Sequence, residues 1–308
     1  MTTCFVFPGQ GSQSVGMVSK LAQNSAQETL LRETFAICSE ASGIDLWKLA
    51  TEGPEEELSR TEQTQPALLA ASVSAFRIWK SQGGAQPDYV AGHSLGEYSA
   101  LVAAGCADLG TVAKLVRRRG ELMQGAVPEG QGRMVAILGL EDGQVEACCR
   151  KVTRETGSIV EPANYNAPLQ VVIAGQSEGV EAASKACKEA GAKRALPLSV
   201  SVPSHCSLMQ EAAAELAQDL RSLTWNMPAF PLIQNVSAEP AADTHKLVNN
   251  LVLQLHRPVR WSYSIQKLKT LGVKRFIECG PKKVISGLIK KIDPDLRTDH
   301  IESLLSAS

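Results

Sequence analysis

Gly92-His93-Ser94-Leu95-Gly96 is the stretch that most restricts how this chain can fold. A short apolar run, Tyr89 to Ala91, leads into it and reads as the end of a buried strand. An Ala- and Leu-rich helical pattern follows, closed by Gly105. Strand, G-x-S-x-G, then helix is the setting of a nucleophile elbow. In such a turn the serine takes a strained backbone conformation, and the flanking glycines let strand and helix pack closely. The start of the helix directs free N–H groups and a partial positive charge at whatever atom reacts there. The pentapeptide by itself also fits a plain glycine-rich turn with a serine helix cap. The flanking strand and helix favour the nucleophile.

With 308 residues, 44% of them hydrophobic, the chain can build one large α/β domain, alone or with a smaller insert. Its 31 basic and 32 acidic residues leave a net charge of -1, which gives no basis for nucleic acid or an anionic membrane as main partner. The opening Met1 to Pro8 lacks the pattern of an export signal, and no window has the length of a membrane span, so a cytoplasmic location is expected. The eight cysteines (4, 38, 106, 148, 149, 187, 206 and 279) form no C-x-x-C pair and read as reduced, small apolar side chains. The five histidines show no ligand spacing, and no metal site is expected.

Along the chain, Cys4 to Phe7 reads as a buried strand ending in the turn Pro8-Gly9-Gln10-Gly11-Ser12-Gln13. This turn is neither a dinucleotide fingerprint nor a P-loop. It is either a plain connection or a loop whose N–H groups approach an anionic oxygen. Helical periodicity covers 27–50, and Gln65-Pro66 is expected to open the next helix, with proline in its first turn.

The helix expected over Asp108 to Gly125 carries Val112, Leu115, Val116, Leu122 and Met123 on one stripe. Arg119 falls on that stripe, whereas Arg117 and Arg118 fall beside it and read as solvated. A buried guanidinium needs an anionic partner. Position alone leaves a protein carboxylate and a substrate carboxylate equally open.

From Gly130 the order becomes β-α-β-β-α-β over about 70 residues, the pattern of a ferredoxin-like unit. The expected organisation is therefore a large α/β-hydrolase-like part with a mostly parallel sheet, residues 1–127 and 199–308, interrupted by a ferredoxin-like subdomain at 128–198. After the insert, Val200 to Pro203 is expected to be extended. His205 then sits on a loop just before a helix, a place for a structural or a catalytic histidine. The tail after Pro294 carries no clear signal.

Phe7 to Gln13, Gly92 to Gly96, Arg119-Gly120, Asn164-Tyr165-Asn166, Pro203-Ser204-His205 and Gly280-Pro281, in this order, resemble a known family. They are similar to the malonyl-CoA:acyl carrier protein transacylases of bacterial fatty acid synthesis, and to the acyltransferase domains of polyketide and fatty acid synthases. The resemblance runs from Cys4 to about Ile289. It implies that Ser94 is the nucleophile taking a malonyl group and that His205 is its base. The family has no carboxylate third member; backbone carbonyls near the position matching Gln254 orient the imidazole. The backbone N–H groups of Gln10 and Leu95 would form the oxyanion hole, and Arg119 would bind the malonyl carboxylate. Gln65 and Asn164 match positions near the site, and His93 either shapes it or packs beside it. These roles agree with the residue chemistry: a serine needs a neighbouring base, and the same imidazole can protonate a leaving thiolate.

The resemblance further implies a CoA thioester and acyl carrier protein as partners, no cofactor beyond those thioesters, and a monomer. Lys193-Arg194 and Lys282-Lys283 are candidate contacts for an acidic carrier protein. The rival enzyme class is an α/β-hydrolase thioesterase, which needs an acid between serine and histidine in chain order. Glu141, Asp142 and Glu146 lie in that interval but read as surface residues of the insert. A non-catalytic acyl-binding scaffold is the rival from another class.

Overall fold

The computed structural model describes residues 1–200 and 202–306. Ser201, part of the stretch expected to be extended ahead of Pro203, lies outside them. The chain begins β1 (Thr3–Phe7), α1 (Ser25–Ser42), α2 (Leu46–Glu52), α3 (Glu55–Leu58), α4 (Thr61–Ser81), β2 (Tyr89–Gly92), α5 (Leu95–Ala103) and α6 (Leu109–Ala126). It continues with β3 (Gly132–Leu138), α7 (Asp142–Thr156), β4 (Val160–Ala167), β5 (Gln170–Gln176), α8 (Ser177–Glu189) and β6 (Arg194–Pro197). A short 3₁₀ turn precedes α9 (Gln210–Ser222), and then come β7 (Leu232–Ile233), α10 (Thr244–His256), α11 (Trp261–Thr270), β8 (Arg275–Glu278), α12 (Val284–Ile292), β9 (Arg297–His300) and α13 (Ile301–Leu305).

Two sheets result. The larger has the order β7-β2-β1-β8-β9 and is parallel throughout. Its central strand β1 is buried from Cys4 to Phe7, as both-sided helix cover requires. The smaller has the order β4-β5-β3-β6 and is antiparallel, the split βαβ arrangement expected from its element order. Alternate residues of β3 serve opposite faces. Val135 and Ile137 pack under α7 and α8, whereas Met134 and Ala136 join Ala163 and Cys206 on the face towards the large sheet. The smaller sheet thus backs the loop that carries His205. Among the described residues no helix is long and apolar enough to cross a membrane.

Several local expectations change. The 27–50 periodicity is split into α1 and α2 by Gly43, which takes a left-handed conformation (φ 69°) and closes α1. α4 starts at Thr61, ahead of Gln65, so Pro66 lies inside the helix rather than in its first turn. Proline removes the N–H that would meet the Glu62 carbonyl. Arg117, expected to be merely solvated, donates to that carbonyl from Nη1 at 3.3 Å and pairs with Glu121. Gly120, on the next turn of α6, lies so close that a Cβ there would come within 2.5 Å of Glu62 Cα. Beyond Pro294 the chain adds a fifth parallel strand, β9, and α13. That strand is Arg-Thr-Asp-His, an edge segment held by the Arg275 and Arg297 bonds to Asp299, so it carries no apolar signature.

Candidate active site

The elbow forms at the C-terminal end of β2, beside the end of β1, where Phe7 pairs with Gly92. Open parallel sheets place ligands at such strand ends. Ser94 takes φ 53°, ψ -112°, a costly conformation for a residue with a side chain. The glycines explain how the turn closes: a Cβ on Gly92 would overlap Gly96, and one on Gly96 would overlap the Phe7 carbonyl. That carbonyl accepts from His93 N–H at 3.0 Å, tying the elbow to the loop that carries Gln10. Asn235, just beyond β7, holds the turn from below. Its Oδ1 accepts from Ser94 N–H at 2.7 Å and its Nδ2 donates to the Gly92 carbonyl at 2.6 Å.

The loop before α9 brings His205 to Ser94, with Oγ and Nε2 2.7 Å apart. On the other side of the ring, Nδ1 lies 2.7 Å from the Gln254 main-chain carbonyl. A carbonyl only accepts, so Nδ1 carries the hydrogen and Nε2 is left with a lone pair facing the Ser94 hydroxyl. His205 is itself buried, with φ 63°. Burial, aided by the positive charge of Arg119, lowers its pKa to about 3, so the imidazole is neutral at neutral pH.

Arg119 is 1% exposed, and α6 points it inward as the apolar stripe requires. Its Nη1 donates to Gln65 Oε1 at 2.8 Å. Its Nη2 donates to Gln254 Oε1 at 3.0 Å and reaches Ser94 Oγ at 3.4 Å. The guanidinium carbon lies 5.4 Å from the centre of the Tyr98 ring. Its Nε has no hydrogen-bond partner, and among the described residues no carboxylate forms an ion pair with it. Burial lowers its pKa, while Tyr98 and, more weakly, Glu97 act in the opposite direction. Of the two partners its position left open, the directly paired protein carboxylate is thus not present.

Gln10, His93, Ser94, Leu95, Arg119, Asn164 and His205 all line one cavity of about 80 Å³. Gln65 and Gln254 stand behind it, against Arg119. Leu95 is the first residue of α5, so its N–H has no acceptor within the helix. Gln10 is anchored through Nε2 to Thr61 Oγ1 at 3.3 Å. The Asn164 side-chain oxygen is buried without a partner. His93 bonds Asn166 Oδ1 through Nε2 at 2.8 Å, and its ring centre lies 5.6 Å from that of Trp261. Glu141 precedes α7 and Asp142 and Glu146 lie on it, in the smaller sheet's layer, where Glu146 accepts from the Tyr165 hydroxyl; none bonds His205. Lys193 and Arg194 are exposed at the start of β6, whereas Lys282 is tied to the Gln13 carbonyl.

Two residues absent from the sequence reading join this site from behind. Asn235 is one. The other is Glu97, fully buried on the first turn of α5, with Oε2 accepting from Gln254 Nε2 at 2.9 Å and from Asn235 N–H at 3.1 Å. Its Oε1 accepts from Gln234 Nε2 at 3.2 Å. Burial raises its pKa to about 7, against the pull of these donors. One sign was available beforehand: a lone acid in an otherwise apolar helix.

The acyl transferase domain family matches residues 4–292. A protein of Escherichia coli (strain K12) described as malonyl CoA-acyl carrier protein transacylase is 51% identical over 288 residues, 94% of this chain and 92% of its own length. The crystal structure of an acyl carrier protein S-malonyltransferase from Vibrio cholerae superposes with a TM-score of 0.95 at 50% identity, each chain being fully covered. A malonyl-transacylase solved in complex with a type II polyketide acyl carrier protein is 46% identical and also reaches 0.95, again with full coverage of both chains.

Proposed function

The chain belongs to the acyl transferase family, and on that premise we propose that it moves a malonyl group from malonyl-CoA to the phosphopantetheine thiol of acyl carrier protein through a malonyl-serine at Ser94. His205 Nε2 takes the proton of Ser94 Oγ as this oxygen attacks the thioester carbonyl. The N–H groups of Gln10 and Leu95 receive the oxyanion. Collapse breaks the C–S bond, and the imidazolium returns its proton to the CoA thiolate. The carrier's thiol then repeats the sequence in reverse, giving its proton to His205 and leaving Ser94 free. The Gln254 carbonyl supports the imidazolium where other serine enzymes place a carboxylate.

One observation carries the choice of acyl group: a buried guanidinium, without a carboxylate of its own, 3.4 Å from the nucleophile. A malonyl carboxylate completes its pairing; an acetyl group leaves it bare, and a site built around a charge rejects the uncharged analogue strongly. The malonyl unit so loaded serves chain extension in fatty acid synthesis. The relative solved with a polyketide carrier supports a second setting for the same reaction. Two-substrate kinetics test the covalent route: parallel double-reciprocal lines are expected, and converging lines refute it. Release of free malonate in place of transfer would point to the thioesterase instead.

A further inference from the structure

We propose that Glu97 is a positioning residue for acyl selection: it fixes the Gln254 amide so that the amide oxygen faces Arg119 and holds the guanidinium ready for a substrate carboxylate. The inference rests on the malonyl-transfer reading of the same site.

An amide has one accepting and one donating end, and a guanidinium only donates. Arg119 therefore tolerates Gln254 in one orientation, with Oε1 towards Nη2 at 3.0 Å. Reversal would set two donors face to face in a dry interior. What prevents it lies at the other end of the amide. Nε2 donates to the Ser94 carbonyl at 3.0 Å and to Glu97 Oε2 at 2.9 Å. The Ser94 carbonyl is already engaged by Glu97 N–H at 3.0 Å, so the carboxylate is the stronger acceptor of the two.

Glu97 accepts from three donors and faces no acceptor of its own, the bonding pattern of a carboxylate rather than a carboxylic acid. Carboxylate, amide and guanidinium thus form one aligned series, and Glu97 is the counter-charge of Arg119 at one remove. The same carboxylate holds Asn235 N–H, and Asn235 in turn clamps Ser94 and Gly92. Placing the negative charge one residue away matters chemically. A carboxylate directly on Arg119 would occupy the place that a malonyl carboxylate needs.

The test is acyl transfer to Ser94 from malonyl-CoA and from acetyl-CoA by Glu97→Gln protein, read as kcat/KM for each. In this variant the NH₂ group faces either Gln234 Nε2 or both Gln254 Nε2 and Asn235 N–H, and the neutral amide carries no counter-charge for Arg119. The expected result is a malonyl-to-acetyl ratio at least tenfold below wild type. Equal loss for both substrates, or no loss, overturns the proposal. Gln254→Met cuts the series while leaving Glu97 its bonds to Asn235 and Gln234, and supplies an independent arm if Glu97→Gln does not fold. It is expected to lower the ratio by a similar factor, and an unchanged ratio would also overturn the inference. Wild-type protein that takes no malonyl on Ser94 would instead overturn the transfer reading itself.

Discussion

His205 Nδ1 and the main-chain carbonyl of Gln254 lie 2.7 Å apart, and this one contact decides which nitrogen of the ring can act as a base. The acceptor belongs to the backbone, so no side-chain substitution at 254 removes it. Gln254→Met is therefore expected to keep a competent base while losing selectivity. His205→Ala is expected to slow acylation of Ser94 by about 10²–10⁴-fold. Stopped-flow measurement of CoA release checks both; near-wild-type release by His205→Ala would be inconsistent with a base at 205.

Arg119→Ala is expected to reduce malonyl transfer by about 10²–10³-fold, the loss that follows when a buried charge pair worth about 3–4 kcal/mol cannot form. Acetyl transfer should change far less. The comparison is a ratio of kcat/KM values, and an equal fall in both would remove the carboxylate role.

The pH behaviour follows from two buried groups of opposite sign. His205 has its pKa lowered from 6.5 to about 3, so the folded protein refuses a proton that the unfolded chain accepts. Its contribution to stability is complete above pH 6.5 and is lost as pH falls from there towards 3. Glu97 has its pKa raised from 4.5 to about 7, so its contribution is complete below pH 4.5 and is lost as pH rises through 7. Urea unfolding of Glu97→Gln across pH 4–8 should therefore show less decline on the neutral side than wild type. In kinetics, kcat/KM for acetyl-CoA, which does not draw on the Glu97–Gln254–Arg119 series, should show no acid limb near pH 6.5. A limb at that pH would mean that His205 is solvated in the working enzyme.

Arg117 serves the fold through Pro66. It donates to the Glu62 carbonyl that the proline leaves without a helical partner. Arg117→Leu should cost about 0.5–1.5 kcal/mol by urea denaturation. In a Pro66→Ala background, where the missing N–H is restored, the same change should cost measurably less. Equal costs in the two backgrounds would show that the contact is incidental.

These expectations divide along the line between local and distant causes. The elbow was legible because its glycines answer to neighbours within a few residues and to an adjacent strand. Arg119 was legible because a cation on an apolar stripe has few reasons to be there. The smaller sheet was readable from element order. Glu97 stands out locally only as a lone acid in an apolar helix; its role is not legible, because its partners Gln234, Asn235 and Gln254 lie well over a hundred residues away and none carries a local pattern. β9 escaped for a related reason: an edge strand of polar residues is defined by its pairing with β8, not by alternation of its own. Pro66 sits inside α4 without a local signal because its compensation comes from another helix.

The central claim is that Ser94 carries the acyl group while Arg119 holds its carboxylate. Intact mass measurement of the protein after brief exposure to malonyl-CoA tests it most directly. A malonyl adduct on wild type, absent from Ser94→Ala and strongly reduced in Arg119→Ala, is the predicted result. An adduct that persists on Ser94→Ala protein would contradict it.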